Sequence, residues 1–154
     1  MSDLIAAIST APVPAAIGIL RLSGPGALEA VDRVFRAARG GPMAAAPDRK
    51  LVYGTLLDGQ GSPIDQVLAT VSRGPNSYTG EDTAELQCHG SPLVLSLGLE
   101  ALYAAAEGYA AQMREKDMDA EGIRFQMQQR EADAHECQRA IAVLQAQIQS
   151  NLEN

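Results

Sequence analysis

The sequence has no tryptophan, and aromatic residues make up only 4% of its 154 residues. Chains of this length bury roughly two-thirds of their unfolded surface, so the core here must be packed from Leu, Ile, Val and Ala. Basic residues are also scarce, with 12 Lys and Arg against 19 Asp and Glu and a formal charge of −7. That balance excludes a broad, sequence-independent grip on nucleic acid, which needs clustered cations. It favours a neutral or cationic partner, or a small ligand held by a few chosen groups. The two cysteines, Cys88 and Cys137, form neither a CxxC pair nor, with the two histidines, a metal-ligand set. No metal site is expected, and reduced thiols fit a cytoplasmic protein. No apolar run reaches the ~18 residues of a membrane span. The opening MSDLIAAIST has no basic stretch of the kind that begins a secretory signal.

Lysine occurs only at Lys50 and Lys116, and neither follows a Gly-x4-Gly loop. A P-loop needs that loop and its lysine to cradle phosphates, so GTP binding by this chain is not expected. No complete catalytic set can be read from the sequence. After Pro92 there is no further proline, and beyond residue 105 Gln, Glu, Arg and Ala dominate. The composition therefore divides the chain into a body, 1–105, and a helical tail, 106–154.

In the body, short apolar runs alternate with turns. Ala15 to Leu22 reads as a strand stopped by Ser23, Gly24 and Pro25, which lead into a helix burying Leu28, Val31 and Phe35. Gly40 to Pro47 reads as a loop. Leu51 to Leu57 and Ile64 to Ser72 read as a hairpin across DGQGSP. The polar loop RGPNSYTGED enters a strand in which Ala84, Leu86 and Cys88 alternate with Thr83, Glu85 and Gln87. Ser91 and Pro92 open a second helix carrying Leu93, Leu97, Leu99 and Leu102. The fold class is α/β (α+β): a mixed β-sheet with packed helices, plus a long C-terminal helix. In the tail Ala120, Ile123, Met127, Arg130, Ala134, Cys137, Ile141, Leu144 and Ile148 recur at alternating spacings of three and four. That is the pattern of a coiled-coil seam, although a single helix lying on the body accounts for it too.

Candidate site residues gather around Gly74 to Pro92. Asn76, Ser77, Thr79 and Asp82 supply acceptors and hydroxyls on one loop. Glu85 lies on the strand face opposite Ala84 and Leu86, and Arg21 ends the apolar strand IGIL on the same face as Ile17 and Ile19. Taken alone, each is more simply a solvated charge. His89 is either a turn histidine bonding the backbone or a proton-transfer group. Cys88 belongs to the apolar face.

Three segments together resemble a known family. IAAISTAPVPAAIGILRLSG, LDGQGSPIDQVLA and above all GPNSYTGEDTAELQCHGSP are similar, in content and spacing, to the N-terminal domain of the MnmE/TrmE tRNA-modification GTPases over residues 4 to 103. The resemblance implies an α/β unit like the folate-binding domains of one-carbon enzymes, which forms a homodimer and holds a tetrahydrofolate derivative (5-formyl- or 5,10-methylene-tetrahydrofolate). For the full-length family it further implies a GTPase domain, an FAD-dependent MnmG (GidA)-like partner, and tRNA whose wobble uridine is modified. The family's folate-contacting Arg and Glu fall on Arg21 and Glu85. The family's later PGEFT-like, lysine-bearing NGKxDL-like and CxGK-like stretches do not occur here, and the surroundings of Lys116 do not match the second. The implied function is a folate-binding, dimerising module without its GTPase domain. The alternative is a non-catalytic, oligomerising interaction protein built on such a domain.

Overall fold

The computed structural model describes residues 3–152. One compact unit ends at Ala111 and a second begins at Gln112.

The first unit is built on a six-stranded sheet: β1 (Ile5–Ile8), β2 (Ala15–Ser23), β3 (Phe35–Ala37), β4 (Val52–Leu57), β5 (Pro63–Ser72) and β6 (Thr83–Gly90). Their spatial order is β1-β2-β6-β5-β4-β3, and every neighbouring pair runs antiparallel. The helix α1 (Ala27–Val34) follows β2, and α2 (Pro92–Leu152) follows β6. This is the α/β class expected.

The four strands expected from the sequence are present, each within a few residues of its expected ends. β1 and β3 are not foreseen by the sequence reading. β1 has four residues and β3 three, too few for a period of two to stand out. Phe35 in particular is expected on α1. Instead that helix stops at Val34, and Phe35 takes extended angles and pairs with Leu56 of β4. Pairing with a neighbouring strand here overrides local helical spacing. The loop 40–47 contains a 3₁₀ turn, Met43–Ala45, that buries Met43. Asp32 of α1 fixes that turn, accepting the Met43 N–H at 2.5 Å and the Ala44 N–H at 3.1 Å.

One face of the sheet is dry. Leu20, Leu22, Leu56, Val67, Ala69, Val71, Ala84, Leu86 and Cys88 lie under Ala27, Leu28, Val31 and Val34 of α1 and Leu95, Ala101, Leu102 and Ala105 of α2. On α2 the buried stripe differs from the one expected. Leu95 and Leu102 are inside, Leu99 is half-buried, and Leu93 and Leu97 are exposed. The helix can lie this close because two glycines meet the opposing surface. A Cβ on Gly18 would stand 2.6 Å from Leu95 Cδ1, and one on Gly98 would stand 2.5 Å from Leu20 Cδ1.

Among the described residues, the opposite face carries no helix of this unit. Ile17, Tyr53 and Leu68 are exposed there beside the polar residues Gln66, Gln87 and His89.

The second unit is the continuation of α2 from Gln112, helical throughout its described residues. Its seam residues Ile123, Met127, Ile141, Leu144 and Ile148 are each more than half exposed. Among the described residues, no helix is long and apolar enough to cross a membrane.

Candidate ligand site on the open sheet face

The antiparallel register of β2 and β6 sets Arg21 directly opposite Glu85. With Leu20, Leu22, Ala84 and Leu86 turned into the core, the alternation of side chains sends Arg21 and Glu85 to the open face. There they form an ion pair. Arg21 donates from Nε at 2.6 Å and from Nη2 at 2.5 Å, both to Glu85 Oε1. Glu85 Oε2 has no hydrogen-bond partner among the described residues. The pair is only partly solvated, with side-chain exposures of 26% and 24%. Tyr78, from the loop before β6, lays its ring 4.7 Å from the Arg21 guanidinium carbon, a cation–π distance. The sequence reading brings forward both charged residues but gives them separate roles. The structure joins them and adds Tyr78.

The loop that carries Tyr78 is held by the polar residues the sequence brings forward. Asp82 accepts the Gly74 N–H on its carboxylate at 2.9 Å, and its carbonyl accepts the Gly24 N–H at 2.9 Å. Ser77 donates its hydroxyl to the Glu81 carbonyl. Thr79 and Ser23 share a hydroxyl–hydroxyl bond of 2.7 Å. Asn76 is exposed. Ser77, Thr79 and Asp82 therefore shape the loop. Its entrance is clasped by Arg73, whose guanidinium donates to the carbonyls of Ala44 and Ala46 and pairs with Asp48. The Arg73 backbone N–H, with its guanidinium, holds the Asp48 carboxyl below its ordinary value. This clasp works at neutral pH and is lost only as pH falls through that lowered value.

Along the same face, two register steps from Arg21 and Glu85, lies a shallow cavity of about 210 Å³ lined by Ile17, Tyr53, Gln66, Leu68, Gln87 and His89 among others. His89 stands at its edge. Asp65 accepts the His89 backbone N–H on Oδ2 at 2.8 Å and faces the ring Nδ1 with Oδ1 at 2.8 Å. The expected histidine–backbone bond is thus replaced by a carboxylate that grips both ring and main chain. A partner 24 residues away leaves no local signal in the sequence. No group of three or more metal-ligating side chains occurs among the described residues.

Cys88 lies on the core side of β6, where burial, helped by the charge of Asp65, pushes its thiol up to about 12 from an ordinary 9.0. Its thiolate population is then about a thousand-fold smaller than that of an ordinary thiol near neutral pH. Cys137 is free and exposed. Treating the native protein with a thiol reagent at pH 7.5 should therefore modify Cys137 alone, with Cys88 following only in denaturant. Equal labelling of both under native conditions, read by peptide mass, contradicts this placement of Cys88.

Comparison with known proteins identifies the family. The model of the family "GTP-binding protein TrmE N-terminus" matches residues 4–116. The chain is 47% identical over 105 residues to the tRNA modification GTPase MnmE of Symbiobacterium thermophilum, covering 68% of this chain and 23% of that protein. It is 48% identical over 101 residues to the MnmE of Salinibacter ruber, covering 66% and 21%. With the MnmE of Carboxydothermus hydrogenoformans it shares 45% over 103 residues, covering 66% and 22%. The chain thus spans little more than a fifth of the length of the curated relatives it matches.

Proposed function

Since the chain belongs to the TrmE N-terminus family, we propose that it is a folate-binding and dimerising module of a tRNA wobble-uridine modification system. The observation that carries this reading is the Arg21–Glu85 pair on the open face of the sheet. A reduced pterin presents an N–H and an amino group side by side, and a carboxylate is the acceptor that suits them. Arg21 engages one carboxylate oxygen and leaves the other for the ligand, so its work on Glu85 is to hold the group ionised and oriented. Tyr78 lays its ring against the same guanidinium. The exposed Ile17, Tyr53 and Leu68 offer the apolar surface that a flat heterocycle needs.

Titration calorimetry with 5-formyl-tetrahydrofolate tests this directly, and saturable binding is the expected result. No heat of binding up to millimolar ligand would transfer the body to the second reading, a non-catalytic oligomerising interaction protein. The observation favouring that reading is that uninterrupted helix follows Pro92, where the resemblance implies a lysine-bearing, folate-contacting stretch.

Dimerisation of the body is the other half of the proposal. It rests on the resemblance of residues 4 to 103 to a dimerising domain. Sedimentation equilibrium should give at least a dimer at micromolar concentration, and a monomeric mass at every accessible concentration would remove this half.

A further inference from the structure

The cavity lined by Ile17, Tyr53, Leu68, Gln87 and His89 extends the open face in one direction from the Arg21–Glu85 pair. Leu68 pairs with Gln87 at its near end, and Ile17 pairs with His89 at its far end. Strand residues rise about 3.3 Å apiece, so along β6 Gln87 stands about 7 Å from Glu85 and His89 about 13 Å. A heterocycle held by Glu85 reaches the near end. The far end, between Ile17, Tyr53 and His89, is left for what the ligand carries next. His89 is set up there as an acceptor. Asp65, whose side chain is only 11% exposed, accepts the backbone N–H groups of Gln66 and His89 and faces the ring Nδ1. A carboxylate in that position accepts, so Nδ1 carries the ring proton, and in the neutral imidazole Nε2 is then an acceptor. Nε2 has no hydrogen-bond partner among the described residues, and the side chain is 73% exposed.

The cavity thus asks for a flat apolar body, and the histidine at its edge asks for a hydrogen-bond donor just beyond that body. Resting on the folate reading above, we propose that this cavity is a second subsite of the same ligand site. It takes the aryl ring of a tetrahydrofolate, and His89, held by Asp65, accepts at Nε2 from the amide N–H that follows the ring. The methylene and nitrogen that join pterin to aryl ring place the second ring one ring-width and a short bridge beyond the first. That is the span of β6 from Gln87 to His89, about 7–13 Å from Glu85. The carboxylates at the end of a folate fit this position less well. Asp65 stands behind the imidazole, and no Lys or Arg lines the cavity. The subsite makes the chain selective for folates over bare pterins.

Calorimetry on the full chain with a pair of ligands tests this. 5-Formyl-tetrahydrofolate carries the aryl ring and its amide, and 5-formyl-6-methyl-tetrahydropterin ends before them. The parent should bind the folate about tenfold or more tighter than the pterin, the scale of burying an aromatic ring. His89→Phe keeps a ring and removes the acceptor. It should weaken folate binding about three- to tenfold, the loss of one neutral hydrogen bond, and leave pterin binding unchanged. The variant should fold, because Asp65 binds the backbone N–H of residue 89 whatever its side chain. Glu85→Gln, by contrast, should weaken both ligands. Equal affinity of the parent for the two ligands overturns the proposal and leaves the folate reading standing. So does a preference for the folate that His89→Phe leaves intact. An equal loss for both ligands in His89→Phe marks the histidine as structural and overturns its assignment to the aryl end. If the parent binds neither ligand, the proposal falls together with the reading beneath it.

Discussion

Glu85→Gln is expected to weaken 5-formyl-tetrahydrofolate binding about tenfold or more while leaving the protein folded. Losing one partner of a buried, hydrogen-bonded charge pair costs roughly 2–5 kcal/mol, and each ~1.4 kcal/mol is a factor of ten in affinity. The amide keeps the shape of the carboxylate but turns one acceptor into a donor, which then faces a donor of either the pterin or Arg21. The fold should survive because Arg21 and Glu85 are a partly solvated cross-strand pair, and such pairs contribute only about 0.2–1 kcal/mol. Glu29→Gln, on the exposed side of α1, is the matched control and should bind as the parent does. Calorimetry on the three proteins decides the matter. Equal affinity in all three removes Glu85 from the site.

Leu20→Ala should be the most destabilising of the simple truncations on β2. Leu20 is fully buried, and such a loss costs about 2–5 kcal/mol depending on how far the surroundings collapse into the space. Here collapse is hindered. The residue above Leu20 is Gly98, which has no side chain to move inward. The loss should fall in the upper part of that range, against a total stability of roughly 5–15 kcal/mol for a domain. Ile17→Ala, three residues earlier but on the open face, should cost less than about 1 kcal/mol. Urea denaturation compares the two, and similar losses at both positions would mean that the open face is covered in solution.

Residues with a strong local pattern were the legible ones. The alternation of Ala84, Leu86 and Cys88 with Glu85 and Gln87 is enough to orient β6, and Pro92 is enough to start α2. Arg21 and Glu85 could be singled out from the sequence by their family-like segments. Their pairing could not, because it depends on which strand lies beside which, and Arg21 and Glu85 are 64 residues apart. The same holds for Asp65 with His89 and for Arg73 with the carbonyls of Ala44 and Ala46. The strand from Phe35 was hidden for a related reason: its residues continue a helical spacing, and only the neighbouring β4 makes the extended form worthwhile. On α2, the sequence offered several leucines as the inner stripe, and the choice of Leu95 over Leu93 and Leu97 is made by the glycines that let the helix approach.

The central pairing of the sheet also orders events during synthesis. β4 and β5 adjoin in the chain and can meet as soon as both leave the ribosome. β2 has only β1 beside it until β6 arrives. With 64 residues between Arg21 and Glu85 and elongation at about 5–20 residues per second, that wait lasts roughly 3–13 s. Throughout it, one edge of a strand carrying Ile17, Ile19, Leu20 and Leu22 stays open to other nascent chains. The ligand site, which needs β2 and β6 side by side, is among the last features of the body to exist.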